Sequence, residues 1–238
     1  MFKLALNAGH WRGTAKGIPA QLSPTGSHVD EWSLNDRICR KVEALLAGYD
    51  GIALLRIDDP TGEKDLSLSA RTDTANAWGA DFYLAIHHNA GVNGGSGGGI
   101  VAFVHPAAGN ETCAWQEELY AALIDATGLK GNRAQPLAKS NLHECRETAM
   151  PAVLLELGFM DSTADIPVIL SEEYAAACAA AIVQVIARRA GLTKKPAKTP
   201  GKLFRVQAGA FRSRENAEAY AEKLRADGYD AFVVEVEE

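Results

Sequence analysis

The sequence predicts an α/β fold: a mostly parallel, twisted sheet with helices on both faces, followed by a small C-terminal βαβ unit. Three observations carry this. Short apolar runs rich in Val, Ile, Leu and aromatic residues alternate along the chain with stretches whose apolar residues recur at helical spacing, which is the pattern of β–α units feeding a parallel sheet. The strongest run, residues 81–90 (DFYLAIHHNA), is apolar from Phe82 to Ile86 and then ends on His87, His88 and Asn89, as expected of a strand buried on both faces until it leaves the core. Two other strand-like runs end on a potential functional group, His10 and Glu156, and in open α/β sheets chemistry sits at the carboxyl ends of the strands.

Taken in order, residues 3–6 form the first strand, broken at Asn7, Ala8, Gly9 and His10. Residues 11–28 are rich in Gly, Pro, Ser and Thr and read as a long surface loop, a length that inside a compact domain usually marks function. Asp30 caps a helix carrying Leu34, Ile38, Val42, Leu45 and Leu46 at helical spacing and ending at Gly48. Glu31 falls in its first turn, beside the mouth of the loop. A strand over 52–56, a turn cluster (IDDPTGEKD) and a helix over 67–78 lead into the run that ends at His87. The glycine-rich tract 91–99 lacks the lysine and spacing of a phosphate loop and reads as a flexible connection to a strand over 100–104.

Asn110 caps a helix with Trp115, Leu119, Leu123 and Ala126, closed by Gly128. Residues 129–150 are polar and irregular and include His143, Glu144 and Arg146. Pro151 then opens a buried strand that reaches Glu156 before Gly158 turns the chain. Ser171 caps an alanine-rich helix with Cys178, Ile182, Val185 and Ile186 on one face and Arg188 and Arg189 in the last turn, where cations suit the helix dipole. Residues 193–201 (TKKPAKTPG) have the composition of an exposed linker, which divides the chain into a domain over 1–192 and a unit over 202–238. That unit reads as strand, helix (213–226) and strand (231–236), too few residues to bury a core alone.

Composition removes several classes. A net charge of −6 argues against a nucleic-acid binder that relies on neutralising phosphates. Cys39, Cys113, Cys145 and Cys178 lack CxxC spacing, which points to free thiols instead of a thiolate zinc site or a disulfide framework. The N-terminal apolar run is too short for a secretory signal, and no stretch is long enough to span a bilayer. The expected product is therefore made in the cytoplasm, with no membrane partner.

Two imidazoles and a carboxylate suit a catalytic zinc that keeps one position open, and a spare carboxylate nearby could take a proton from water. Each residue also has a plainer reading: a histidine after a strand is commonly a hydrogen-bonded loop residue, and Glu31 alone would simply favour a helix N-terminus. Glu156 is harder to explain structurally, because its AVLL and LGF flanks are an apolar setting that excludes carboxylates. His28, His88, His105 and His143 read as surface or supporting groups, with His88 on the opposite strand face from His87.

From residue 3 to about 192 the chain resembles the zinc-dependent N-acetylmuramoyl-L-alanine amidases of the amidase-3 type. The resemblance rests on Gly9-His10, on Glu31 followed by Asn35, and on Arg56 with Asp58 and Asp59. It continues through Leu68, Arg71, Ala75 and Asn76, the Ile86-His87-x-Asn89-Ala90 tip, and the Pro151–Phe159 signature containing Glu156. It implies one zinc per domain held by His10, Glu31 and His87, Glu156 as the catalytic general base, and hydrolysis of the bond between N-acetylmuramic acid and L-alanine in peptidoglycan. Two departures stand out. Asn7-Ala8 replaces the family's Asp-Pro before Gly-His, which alters an outer hydrogen bond and not the ligand set; and residues 142–148 are more polar than the family's version.

The tail, with Arg205, Val206, Gln207, Gly209, Phe211, Asn216, Ala217, Leu224 and Gly228, resembles half of a sporulation-related (SPOR) peptidoglycan-binding repeat, which implies wall binding and a homodimer that completes the unit. A phage endolysin released through a holin and a sporulation autolysin acting on mother-cell lysis both fit. A zinc peptidase cutting within the stem peptide and a non-catalytic wall-binding protein remain alternatives.

Overall fold

The computed structural model describes residues 1–196 and 206–236. The chain divides into two compact units, 1–195 and 196–238. In the first, the elements in order are β1 (Phe2–Ala8), β2 (Gly17–Ile18), β3 (Val29–Asp30), α1 (Glu31–Leu46), β4 (Tyr49–Asp50), β5 (Ile52–Arg56), α2 (Leu68–Trp78), β6 (Phe82–Asn89) and β7 (Ile100–Val104). They continue with α3 (Asn110–Thr127), β8 (Leu137–Lys139), α4 (His143–Arg146), β9 (Ala152–Phe159), α5 (Ile166–Ile169), α6 (Glu172–Arg189) and β10 (Thr193–Lys194).

Six strands form one sheet in the order β5-β1-β6-β9-β7-β8. The first four run parallel, and β7 pairs antiparallel with β9. This is the mostly parallel sheet the alternation of elements predicts. Its two faces are filled differently. Leu4, Leu6, Phe82, Leu84, Ile86, Val153 and Leu155 pack with the apolar stripes of α1, α3 and α6, where Trp115 stacks on Phe82 at 4.0 Å between ring centroids. Ala5, Tyr83, Ala85, Ala152 and Leu154 line the other face with Ala75 of α2. Each fully buried Leu, Ile or Phe contributes about 1.5–3 kcal/mol, so the first face sets the register. A one-residue slip of β6 would exchange Leu84 and Ile86 with Ala85 and His87.

The helices begin where side chains replace missing backbone partners. Asp30 accepts from Ser33 N at the start of α1, Ser67 from Ala70 N at α2, and Ser171 from Tyr174 N at α6. At α3 the cap expected at Asn110 falls one residue earlier: Gly109 holds the cap position and Asn110 is the first helical residue. Gly79 and Gly128 close α2 and α3 in the left-handed conformation. At the carboxyl end of the sheet the buried Arg56 meets Asp58 at 2.6 Å, Asp36 at 2.8 Å and Glu43 at 3.1 Å. Asp58 also accepts from Ala8 N at 3.2 Å. The cluster thus ties the end of β5 to the end of β1, just before Gly9-His10. Loss of one partner from a buried ion cluster typically costs about 3–5 kcal/mol, so these contacts hold the turn that presents His10.

Three further local features differ from the sequence-based expectation. The glycine-rich segment 91–99 is anchored, because the amides of Gly91, Val92 and Asn93 all donate to Asp161 Oδ2 at 2.7–2.9 Å. Thr193 and Lys194 do not begin a linker: they pair antiparallel with Asp50 and Tyr49, and Lys195 N donates to Gly48 O. In the second unit the helix appears as α7 (Arg214–Ala226), but residues 206–211 and 231–236 form no strand among the described residues. A strand needs a partner for its ladder, and among the described residues these runs have none. The rest of the expected linker and residues 203–205 of the first tail strand lie outside the described residues. Among the described residues no helix is long and apolar enough to cross a membrane.

Candidate metal centre

Each group at the carboxyl edge of the sheet is delivered by a different element. β1 ends in Gly9-His10, and Gly9 N extends the ladder to Ile86 O at 3.0 Å. Glycine is required there because a Cβ on residue 9 would lie 2.0 Å from Cε1 of His87. His10 takes a positive φ of 67°, a conformation that costs a side-chain-bearing residue about 1–3 kcal/mol and persists only where its surroundings hold it. Arg71 of α2 does so: it is buried and donates to His10 O at 2.7 Å, Ala8 O at 3.0 Å and Asn7 Oδ1 at 2.7 Å.

Glu31, the first residue of α1, lies between the two imidazoles. Its Oε2 is 3.2 Å from His10 Nε2 and its Oε1 is 2.9 Å from His87 Nδ1. The rings of His10 and His87 stand edge to face, 5.1 Å apart. One ligand atom from each of His10, Glu31 and His87 lies within 4.8 Å of the others. Burial works against the charge on Glu31, yet hydrogen bonds to the two histidines hold it well below the usual carboxylate range. Burial likewise opposes a charged His87, but Glu144 and Glu31 on either side push it up to about 10. Charges that hold a proton there so firmly would also hold a divalent cation, and two imidazoles plus one carboxylate are the donor set of a mononuclear zinc site with an open position.

Glu156 stands in register with His87 on the neighbouring strand β9. The residue keeps some exposure, but its Oε2 is shut off from solvent with no hydrogen-bond partner. Burial raises its pKa from 4.5 to about 7, the range in which a carboxyl can both take and return a proton. The structure therefore brings all four residues singled out in the sequence, His10, Glu31, His87 and Glu156, to one edge of the sheet.

Two supporting residues were undervalued in the sequence. His88 does point away from His87, but it is buried, not peripheral: its Nδ1 lies 2.8 Å from Asn35 Oδ1 and its amide donates to Glu31 Oε1 at 3.2 Å. Burial pushes its pKa down to about 3, so the ring is neutral. Asn35 in turn donates to Gly9 O at 3.1 Å, linking α1 to the turn before His10. The second is Glu144 of α4, buried beside His87. Its only sequence signal is an acid in a stretch where the resemblance leads one to expect apolar residues.

A cleft of about 320 Å³ opens onto this edge, between His10, His87 and Glu144 on one side and Leu66, Ser67 and Leu68 on the other. A larger hollow of about 600 Å³, at the opposite end of the strands around Phe2, Asp81 and Pro151, has no imidazole in its lining. The candidate ligands His10 and His87 line the smaller cleft.

Fold and edge together define a class: an α/β protein with a candidate single-metal centre and an unpartnered carboxyl beside it. Comparison with known proteins gives the family. Residues 4–188 match the family described as N-acetylmuramoyl-L-alanine amidase, and residues 200–238 match the SPOR domain; the chain belongs to this amidase family. It is 32% identical over 235 residues to the sporulation-specific N-acetylmuramoyl-L-alanine amidase of Bacillus subtilis (strain 168), covering 98% of this chain and 85% of the relative. Identity to the N-acetylmuramoyl-L-alanine amidase CwlM of Bacillus licheniformis is 31% over 234 residues, with the same coverage. The catalytic domain of CwlV, an N-acetylmuramoyl-L-alanine amidase from Bacillus (Paenibacillus) polymyxa var. colistinus, superposes with a TM-score of 0.70 at 22% identity. That match covers 81% of this chain and all of that domain, and is a likeness of fold.

Proposed function

We propose that the chain is a cell-wall lytic enzyme that hydrolyses the amide bond between N-acetylmuramic acid and L-alanine in peptidoglycan, using one zinc ion held by His10, Glu31 and His87. The observation that carries this is the meeting of three ligand-bearing residues from three separate segments at the strand edge, in a chain that belongs to the amidase family. When bound, zinc supplies polarisation of the scissile carbonyl and a water acidified from about 15.7 toward roughly 7. Glu156 accepts the proton of the attacking water and returns it to the alanine nitrogen as the C–N bond breaks. Arg71 and Gly9 hold the turn so that His10 and His87 face Glu31 throughout.

Digestion of purified peptidoglycan is expected to release free L-alanine amino groups, with the release lost on chelation and restored by zinc. A different new amino terminus would mean a peptidase, and none at all a binding protein.

The second unit supports wall binding through its match to the SPOR domain. We also infer that it pairs with a second copy of itself. Val206, Tyr229, Phe232 and Val236 are each at least 66% exposed, and in the described part of the unit only Ala221 is buried; an unpartnered apolar surface of this kind favours association. The full chain should therefore sediment as a dimer at micromolar concentration, and Phe232→Glu should return it to a monomer. A wild-type chain that is monomeric at that concentration would remove the pairing.

A further inference from the structure

Beyond the three candidate ligands and Glu156, one buried carboxylate faces the same histidine from the opposite side. Glu144 Oε2 lies 3.5 Å from His87 Nε2, and that nitrogen is buried with no hydrogen-bond partner. Glu144 itself is held by two donors on its other oxygen: Tyr83 OH at 2.6 Å and the side-chain amide of Asn7. Burial alone would drive its carboxyl up, but contact with His87 keeps it below the usual range.

Asn7 makes this arrangement consistent. Its Oδ1 accepts from Arg71 at 2.7 Å while its Nδ2 donates to Glu144 Oε1. An aspartate at position 7 could accept from Arg71 but would set a second carboxylate against Glu144 with no proton between them. Asn7 and Glu144 therefore belong together: the buried carboxylate of this region stands at residue 144, within reach of His87, while the other acid near Arg71, Asp65, is exposed.

We propose that Glu144 is a positioning residue for His87. It accepts the Nε2 proton of the ring, which fixes the tautomer and leaves Nδ1 unprotonated toward Glu31 and the metal. Carboxylates behind metal-binding histidines orient the ring and raise its basicity. This proposal rests on the zinc reading above, and its test keeps the two apart.

Zinc-free protein is titrated with zinc against a chromophoric chelator, and cobalt spectra are recorded on the same samples. The wild type, Glu144→Gln and the double variant Asn7→Asp/Glu144→Leu are compared. The double variant keeps one carboxylate on Arg71 but removes the acceptor from His87. Glutamine keeps an oxygen but no charge. Zinc affinity is expected to fall in the order wild type, Glu144→Gln, double variant, with a total loss of about 10–100-fold and an altered cobalt spectrum. Wild-type zinc affinity in the folded variants overturns the positioning role, whereas failure of the wild type to bind zinc overturns the zinc reading itself. Should the variants not fold, nitrogen NMR of the zinc-loaded wild type decides instead: protonated Nε2 on His87 is expected, and unprotonated Nε2 overturns the proposal.

Discussion

Replacing Glu156 with glutamine is expected to abolish hydrolysis, leave zinc binding intact and make the zinc-free protein more stable above pH 7. The first effect follows from losing a carboxyl in register with His87 whose Oε2 has no partner and whose pKa, near 7, suits proton transfer. A positioned acid–base group is typically worth about 10²–10⁴ in rate. The third effect follows from linkage. The folded carboxyl titrates near 7, compared with 4.5 ordinarily, so between those values the folded chain keeps a proton that the unfolded chain has lost. Stability therefore falls as pH rises through that window, and above it the buried charge costs up to about 3 kcal/mol. Glutamine removes this contribution and leaves the slope that the raised His87 supplies above pH 6.5, so the wild-type minus variant difference in urea midpoints, compared at pH 5 and pH 8 on chelated protein, isolates Glu156. In the zinc-loaded wild type, hydrolysis should decline on the acid side as the base takes up its proton, with a midpoint below the metal-free value because a nearby cation favours the carboxylate. A glutamine variant with wild-type turnover would remove Glu156 from the mechanism.

Much of this site is legible in the chain because strands state their own exits. β6 and β9 are apolar until they reach His87 and Glu156, β1 carries a mostly apolar run (Leu4–Leu6) before Asn7 and the turn to His10, and a parallel order brings those ends to one edge. Glu31 is less legible: a glutamate in a first turn has an adequate local explanation in the helix dipole, and only the family pattern marked it before its contacts with both imidazoles were visible. The strand period also places His88 on the opposite face from His87, but period alone cannot show that α1 covers that face or that Asn35 meets the ring there.

What the chain hides is pairing between distant polar residues. Asn7 and Glu144 are 137 positions apart, and Tyr83 and Glu144 are 61 apart. Nothing local distinguishes Glu144 from a solvated acid in a polar loop. The same holds for Thr193–Lys194, a two-residue strand whose partner is another two-residue strand; neither is long enough to show a period. The tail differs for another reason: its runs carry a strand pattern, but among the described residues they form no ladder.

Replacing His10 with alanine should lose zinc and hydrolysis together while leaving the fold in place. His10 is half-buried and belongs to neither apolar cluster, so its ring supports the site and not the core. Removing it leaves Glu31 and His87 as the only donors of the three, and the affinity should fall well beyond the roughly 10–100-fold typical of outer partners. The backbone gives this prediction a control. At φ 67° alanine is strained as histidine is, whereas glycine is not, so His10→Gly should be more stable than His10→Ala by about 1 kcal/mol. Both should bind zinc equally badly if the imidazole is a ligand. Zinc content after dialysis and urea unfolding, measured on the two variants side by side, separate lost ligation from lost fold. Retention of zinc by either variant at an affinity within about 100-fold of wild type would place His10 outside the metal site.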